Sequence, residues 1–211
     1  SSPIYQLIPG AHYPSFGKPD DGLGFAPTTI EHSHGSTAIS GIVMVEREGW
    51  PAEFTGNLFI GNVMTSRINR DRVEWRGSSP VGHEMPDFMS TDDPWFRPVD
   101  LKWGPDGALY VADFYNRIIG HYEVPLTHPG RDRERGRIWR IRYTGSGPTA
   151  PEQAPNFAQM EATALMKQLG STVPIRRSLA FNELVDRVGM PAASLAKQTL
   201  AQKTSNPYEK V

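Results

Sequence analysis

The sequence predicts a mainly β fold with an α-helical C-terminal tail. A partial β-propeller of about two four-stranded blades is expected over residues 1–143, a linker over 144–156 and a helical segment over 157–211. Three observations predict it. An internal repeat pairs Gly56-Asn57-Leu58-Phe59-Ile60-Gly61-Asn62 with Gly107-Ala108-Leu109-Tyr110-Val111-Ala112-Asp113, an offset of 51 residues, and one blade takes about 40–50 residues. The chain holds 19 prolines and 20 glycines in 211 residues, as short strands joined by turns require. After Tyr143 the apolar pattern changes from strand-like to helical.

Residues 1–36 read as loop, with Pro and Gly throughout, and would belong to a preceding blade. Strands are expected at about 38–46, 57–62, 66–69 and 73–76, then a loop rich in Ser, Pro, Gly and Asp, then strands at 98–103, 108–113, 117–123 and 137–143. In each repeat copy a glycine opens a short apolar run, supplying the positive φ of a tight turn before a buried strand. The residues from Thr144 to Asn156 are rich in Gly, Ser, Pro and Ala, which suits a linker. Ala164, Leu165, Met166 and Leu169 then mark one helix. Ile175, Leu179, Phe181, Leu184, Val185 and Val188 mark a second, stopped by Gly189 and Pro191, and a third spans 190–202. The last residues, 203–211, are polar and expected to fray. Such a helix pair is one unit of a solenoid and needs neighbours to bury its face. With a start at Ser1-Ser2-Pro3, it suggests a segment of a longer chain.

Charge and composition exclude several classes. The 22 basic residues balance 23 acidic ones, so no global field favours nucleic acid or an anionic membrane. No apolar run approaches a membrane span. The absence of cysteine rules out disulfides, a thiolate nucleophile, Cys-ligated zinc and a covalent c-type haem within this chain.

Three stretches carry a resemblance: Asp93-Pro94-Trp95-Phe96-Arg97-Pro98-Val99-Asp100, the run from Gly104 through Asn116, and Gly136-Arg137-Ile138-Trp139-Arg140-Ile141, with His34-Gly35-Ser36-Thr37-Ala38-Ile39-Ser40-Gly41 upstream. Together they resemble the planctomycete-type membrane-bound dehydrogenases, relatives of the glucose/sorbosone dehydrogenase propellers, over about residues 30–143. The tail is similar to the HEAT-like repeats that follow the propeller in those proteins. The resemblance implies a periplasmic or membrane-associated parent that oxidises a sugar or polyol. Electrons would pass to pyrroloquinoline quinone, with calcium, and on to a c-type haem domain, whose Cys-x-x-Cys-His motif this sequence lacks. This chain alone is expected to be inactive. The alternative function is a non-catalytic propeller and helical-repeat scaffold that binds carbohydrate or protein.

Several residues are candidates for chemistry. His34, at the entry to a strand, would accept a proton from a sugar hydroxyl, since imidazole titrates near neutrality; otherwise it packs and hydrogen-bonds locally. His32 and His34 form a His-x-His pair that could ligate a metal, although zinc or iron needs further ligands. Arg97 would bind a cofactor carboxylate through its planar fork, or else pair with Asp100. Asp113 and Asn116, with Tyr115 between them, would offer oxygens to calcium, which takes six to eight; alternatively Asp113 caps loop amides. Asp106, in Pro-Asp-Gly, is a turn residue. The alternating charges of 131–137 read as a solvated, salt-bridged loop rather than a nucleic-acid patch. Trp50, Trp75, Trp95, Trp103 and Trp139 are expected in blade-to-blade packing, with Trp95 also placed to stack on a sugar.

Overall fold

The computed structural model describes residues 4–13, 26–35, 38–46, 49–120, 123–146 and 153–201. Residues 147–152 of the linker and the polar tail 203–211 lie outside the described residues. The fold is mainly antiparallel β-sheet with helices at the C-terminal end. Strands β1 (Ile4–Tyr5) and β2 (Thr28–Ile30) form a two-stranded pair. Strands β3 (Ile39–Met44), β4 (Asn57–Asn62), β5 (Arg67–Arg76) and β6 (Ser79–Ser90) form a four-stranded sheet in chain order. Strands β7 (Pro98–Trp103), β8 (Leu109–Asp113) and β9 (Arg137–Ile141) form a three-stranded one, also in chain order.

The repeat is real in conformation. Gly56 and Gly107 both take positive φ, 73° and 94°, and each precedes a strand with buried apolar residues. Three expectations change. The two short strands at 66–69 and 73–76 are one ten-residue strand, β5, whose polar middle is paired on both sides, by β4 and by β6. The Ser/Pro/Gly/Asp-rich loop is the twelve-residue strand β6, turned back at Gly77 and Ser78. Its Pro80 and Pro86 are tolerated because β6 is an edge strand, where an N–H that faces away from the partner strand has no ladder bond to lose. The strand expected at 117–123 is absent among the described residues, so this sheet has three strands. Its backbone groups bond to side chains instead. Arg97 takes the carbonyls of Asn116 and Arg117, and Arg131 takes those of Ile118, Gly120, Val124 and Pro125.

The sheet β3–β6 buries Leu58 and Ile60 against Ile30 of β2. Gly82 of β6 lies under that strand: a Cβ there would stand 2.5 Å from Ile30 Cγ1. Phe59 points the other way and stacks on Phe88, 4.2 Å between ring centres. The tryptophans do not share one role. Trp50 meets Trp103 edge to face and donates to the Gly107 carbonyl, Trp95 stacks on Tyr115, and Trp75 is exposed.

Helices α1 (Ala162–Gln168) and α2 (Pro174–Glu183) follow, α2 opening on Pro174, whose missing N–H costs nothing in a first turn. A π turn over Leu184–Val188 ends at Gly189, with φ 68°, before α3 (Met190–Ala201). Phe157, Leu165, Ala180 and Leu184 make the buried core, while Phe181 and Val185 of the expected apolar cluster are exposed. Among the described residues no helix is long and apolar enough to cross a membrane.

The chain divides into two compact units that are not consecutive in sequence. One comprises 1–45, 56–102 and 111–139; the other comprises 46–55, 103–110 and 140–211.

Candidate functional site

Within the first unit the chain leaves β2 and crosses the face of β3–β6, bringing His32 and His34 over the middle of β5. Asp71 sits there, fully buried. Alternation along β5 puts Asn69 and Asp71 on one face, opposite Ile60 and Leu58 of β4. His32 Nε2 lies 2.6 Å from Asp71 Oδ1, and His34 Nε2 lies 2.8 Å from Oδ2. The two imidazoles stand edge to face, 4.9 Å apart at 85°. The Asn62 amide fixes the His34 backbone by donating to its carbonyl, and it also donates to Asn69. Glu84, paired directly across from Asp71 on β6, brings Oε1 to 3.7 Å from the other ring nitrogen, Nδ1 of His34.

Carboxylates dominate the electrostatics around His34. Contact with the Asp71 carboxylate raises His34 above the ordinary imidazole range, against burial, and Glu84 and Asp87 act in the same direction. Yet no aligned hydrogen bond reaches His34 Nδ1, His34 Nε2 or Asp71 Oδ2, although all three atoms are shut away from solvent. The 2.8 Å approach is close without the in-line N–H···O direction that makes a bond strong.

His34 also lines an open depression of about 640 Å³ with Ser33, Thr65, Arg67, Asn69, Glu84 and Asp87 among its walls. Asp87 is held from two sides, by Arg67 at 2.8 Å and by the Asn69 amide at 2.6 Å.

The residues expected to bind a cofactor are elsewhere and are committed internally. Arg97 is buried, which lowers its guanidinium from the ordinary value. It donates to the carbonyls of Val63, Asn116 and Arg117 and to the Ser66 hydroxyl. The alternative pairing with Asp100 is not made: Asp100 binds Lys102. Asp113 Oδ1 accepts the backbone N–H groups of Arg97 and Tyr115, and Oδ2 accepts from Arg137 and Trp139. Asn116 accepts from the Ile118 amide and donates to the Asp132 carbonyl. Arg137 also reaches Asp93, whose carboxyl is held low by the Trp95 amide and by Arg137 itself. Asp106 does more than shape a turn. It accepts from the Ala108 amide, the Tyr110 hydroxyl and Arg140. The charged loop is locally braced, with Asp132 binding Arg135 and its Oδ1 capping the amides of 134 and 135.

His32 and His34 were visible in the sequence; Asp71 and Glu84 were not. The signal available was the polar run Asn69-Arg70-Asp71-Arg72 inside an otherwise strand-like stretch. Buried polar residues in mid-strand need a reason, and a shared site is one.

The fold and the cluster define an antiparallel β protein with a buried histidine–carboxylate centre. The chain belongs to the family described as Domain of unknown function (DUF7133), whose profile matches residues 14–145 and so contains His32, His34, Asp71 and Glu84. No curated protein and no solved structure matches the chain.

Proposed function

We propose that this chain is part of a propeller-type sugar or polyol dehydrogenase, and that the depression beside His34 receives the substrate's hydroxyls. The fold component of this reading is supported by two consecutive antiparallel meanders, β3–β6 and β7–β9, built on a 51-residue repeat. The observation that carries the functional component is the His34 imidazole set against buried Asp71 at the edge of that depression. Oxidising an alcohol to a carbonyl removes two electrons and needs a base for the hydroxyl proton. The His34–Asp71 pair bears on the proton. The electrons require an acceptor of the quinone class, and Arg97, Asp113 and Asn116 do not fit pyrroloquinoline quinone or calcium, because their polar groups already serve the protein's own backbone and side chains. Such an acceptor belongs at other residues, with a haem domain as the onward partner.

The test is dye reduction by the protein in its full natural length, supplied with pyrroloquinoline quinone, calcium and a panel of sugars and polyols. Turnover is expected, and His34→Gln should lower it by about 10²–10⁴-fold, the usual worth of a positioned base. Absence of both turnover and sugar binding would end this reading. The scaffold reading is favoured by one observation, the exposed Phe181, Val185, Met190 and Leu200 of the helical segment. Sugar binding without turnover is its expected result.

A further inference from the structure

We infer that His32, His34 and Asp71 bind a divalent first-row transition cation of the zinc or ferrous type, with Glu84 steadying His34 from behind. The three residues offer two imidazole nitrogens and a carboxylate oxygen, all within 4.8 Å of one another. That donor set selects the cation. Calcium and magnesium take oxygen ligands, whereas imidazole suits zinc and iron, and two histidines with one carboxylate form a site that leaves coordination positions open. The depression lined by His34 lies where an open position can take water or a substrate oxygen.

The burial of these groups is the second observation. The His34 side chain is 2% exposed and that of Asp71 is 0%. Their facing atoms are close but not aligned as a hydrogen bond, and His34 Nε2 and Asp71 Oδ2 have no aligned partner. Leaving buried polar atoms in that state costs free energy. An ion on the shared side of both groups removes that cost, because coordination uses their lone pairs directly. The edge-to-face arrangement of the rings brings both Nε2 atoms to one carboxylate. Nδ1 of His34 then faces Glu84, the position of the carboxylate that usually holds a metal-bound imidazole's second nitrogen.

The binding of the ion stands without the dehydrogenase reading; its role in substrate activation rests on that reading. With an ion present, His34 Nε2 is a ligand rather than a free base, and the ion takes over the lowering of a bound hydroxyl's pKa.

The experiment is titration of chelator-treated protein with Zn²⁺ by calorimetry, with Co²⁺ as a spectroscopic reporter. One Zn²⁺ per chain and intense visible Co²⁺ bands of a low-coordinate nitrogen-containing site are expected. Binding should be lost in Asp71→Asn and His32→Ala, weakened about tenfold or more in Glu84→Gln, and unchanged in His83→Ala, which removes an exposed histidine paired with Glu74. His32 is the more exposed ligand, so its variant is informative even if Asp71→Asn does not fold. No Zn²⁺ binding by the parent protein, or binding that survives in His32→Ala, overturns the inference. A bound ion with neither dye reduction nor sugar binding keeps this inference and removes the dehydrogenase reading; turnover by the metal-free protein keeps that reading and removes the ion's role in substrate activation.

Discussion

Asp106 shows how much one side chain in a turn can hold. Proline before it and glycine after it account for the turn itself. Its carboxylate is almost fully buried and gathers the Ala108 amide, the Tyr110 hydroxyl and Arg140, with the Arg140 Nη2 atom 2.6 Å away. Burial alone would raise its pKa, but Arg140, the Ala108 amide and Tyr110 outweigh it and the value is lowered. A carboxyl whose folded pKa lies below its unfolded one adds stability above the unfolded value, near 4. That stability is lost as pH falls through the folded value. Asp106→Asn keeps the size and the amide contact but loses the charge-assisted bonds. It should cost about 1–3 kcal/mol at neutral pH and reduce the acid sensitivity of unfolding in denaturant. Equal acid sensitivity in the parent and the variant would assign that titration to other carboxylates.

At the level of elements, the candidate site depends on β2 lying across β6. The crossing is possible because residue 82 has no side chain where Ile30 passes. Gly82→Ala adds one methyl group under a strand that carries the chain directly to His32 and His34. Overpacking of this kind costs about 1–3 kcal/mol, measurable as a shift in thermal or urea unfolding. Because the displaced strand feeds the site, Zn²⁺ affinity should fall in the same variant while Glu84 and Asp71 remain. A destabilised protein with undiminished affinity would show that the histidines are positioned independently of β2.

At the level of the molecule, the helical residues share a compact unit with Trp103–Tyr110 rather than standing alone after the strands. Arg176 of α2 donates to the Pro105 carbonyl at 2.9 Å. Leu165, fully buried with Phe157, Ala180 and Leu184, is the centre of that unit's helical core. Leu165→Ala should cost about 2–5 kcal/mol through lost burial and a residual cavity. Amide hydrogen exchange should then quicken at 103–110 together with α1 and α2. Faster exchange in the helices alone would mean that the two stretches open separately.

The features legible in the sequence were those encoded locally. Gly56 and Gly107 announced their turns because positive φ is a single-residue property. Leu58 to Ile60 and Leu109 to Val111 announced buried strands, and Gly189 marked the end of the π turn that follows α2. The sequence also brought His32 and His34 forward as a pair. It did not disclose β6, since prolines and polar residues look like loop until one knows that the strand is an edge. Nor could it foresee that residues 117–120 would bond to Arg97 and Arg131 rather than to a neighbouring strand. Those outcomes depend on partners far along the chain. The same holds for the site: His34 and Asp71 lie 37 positions apart in the chain, and only the register of β4, β5 and β6 places that carboxylate beneath the imidazole. The sequence by itself determined the turns, the buried strands and the helical tail, because each is set by short-range sterics and hydrophobic pattern. The tertiary structure alone decided that two loop histidines share a buried carboxylate, because strand pairing and burial are properties of the folded chain.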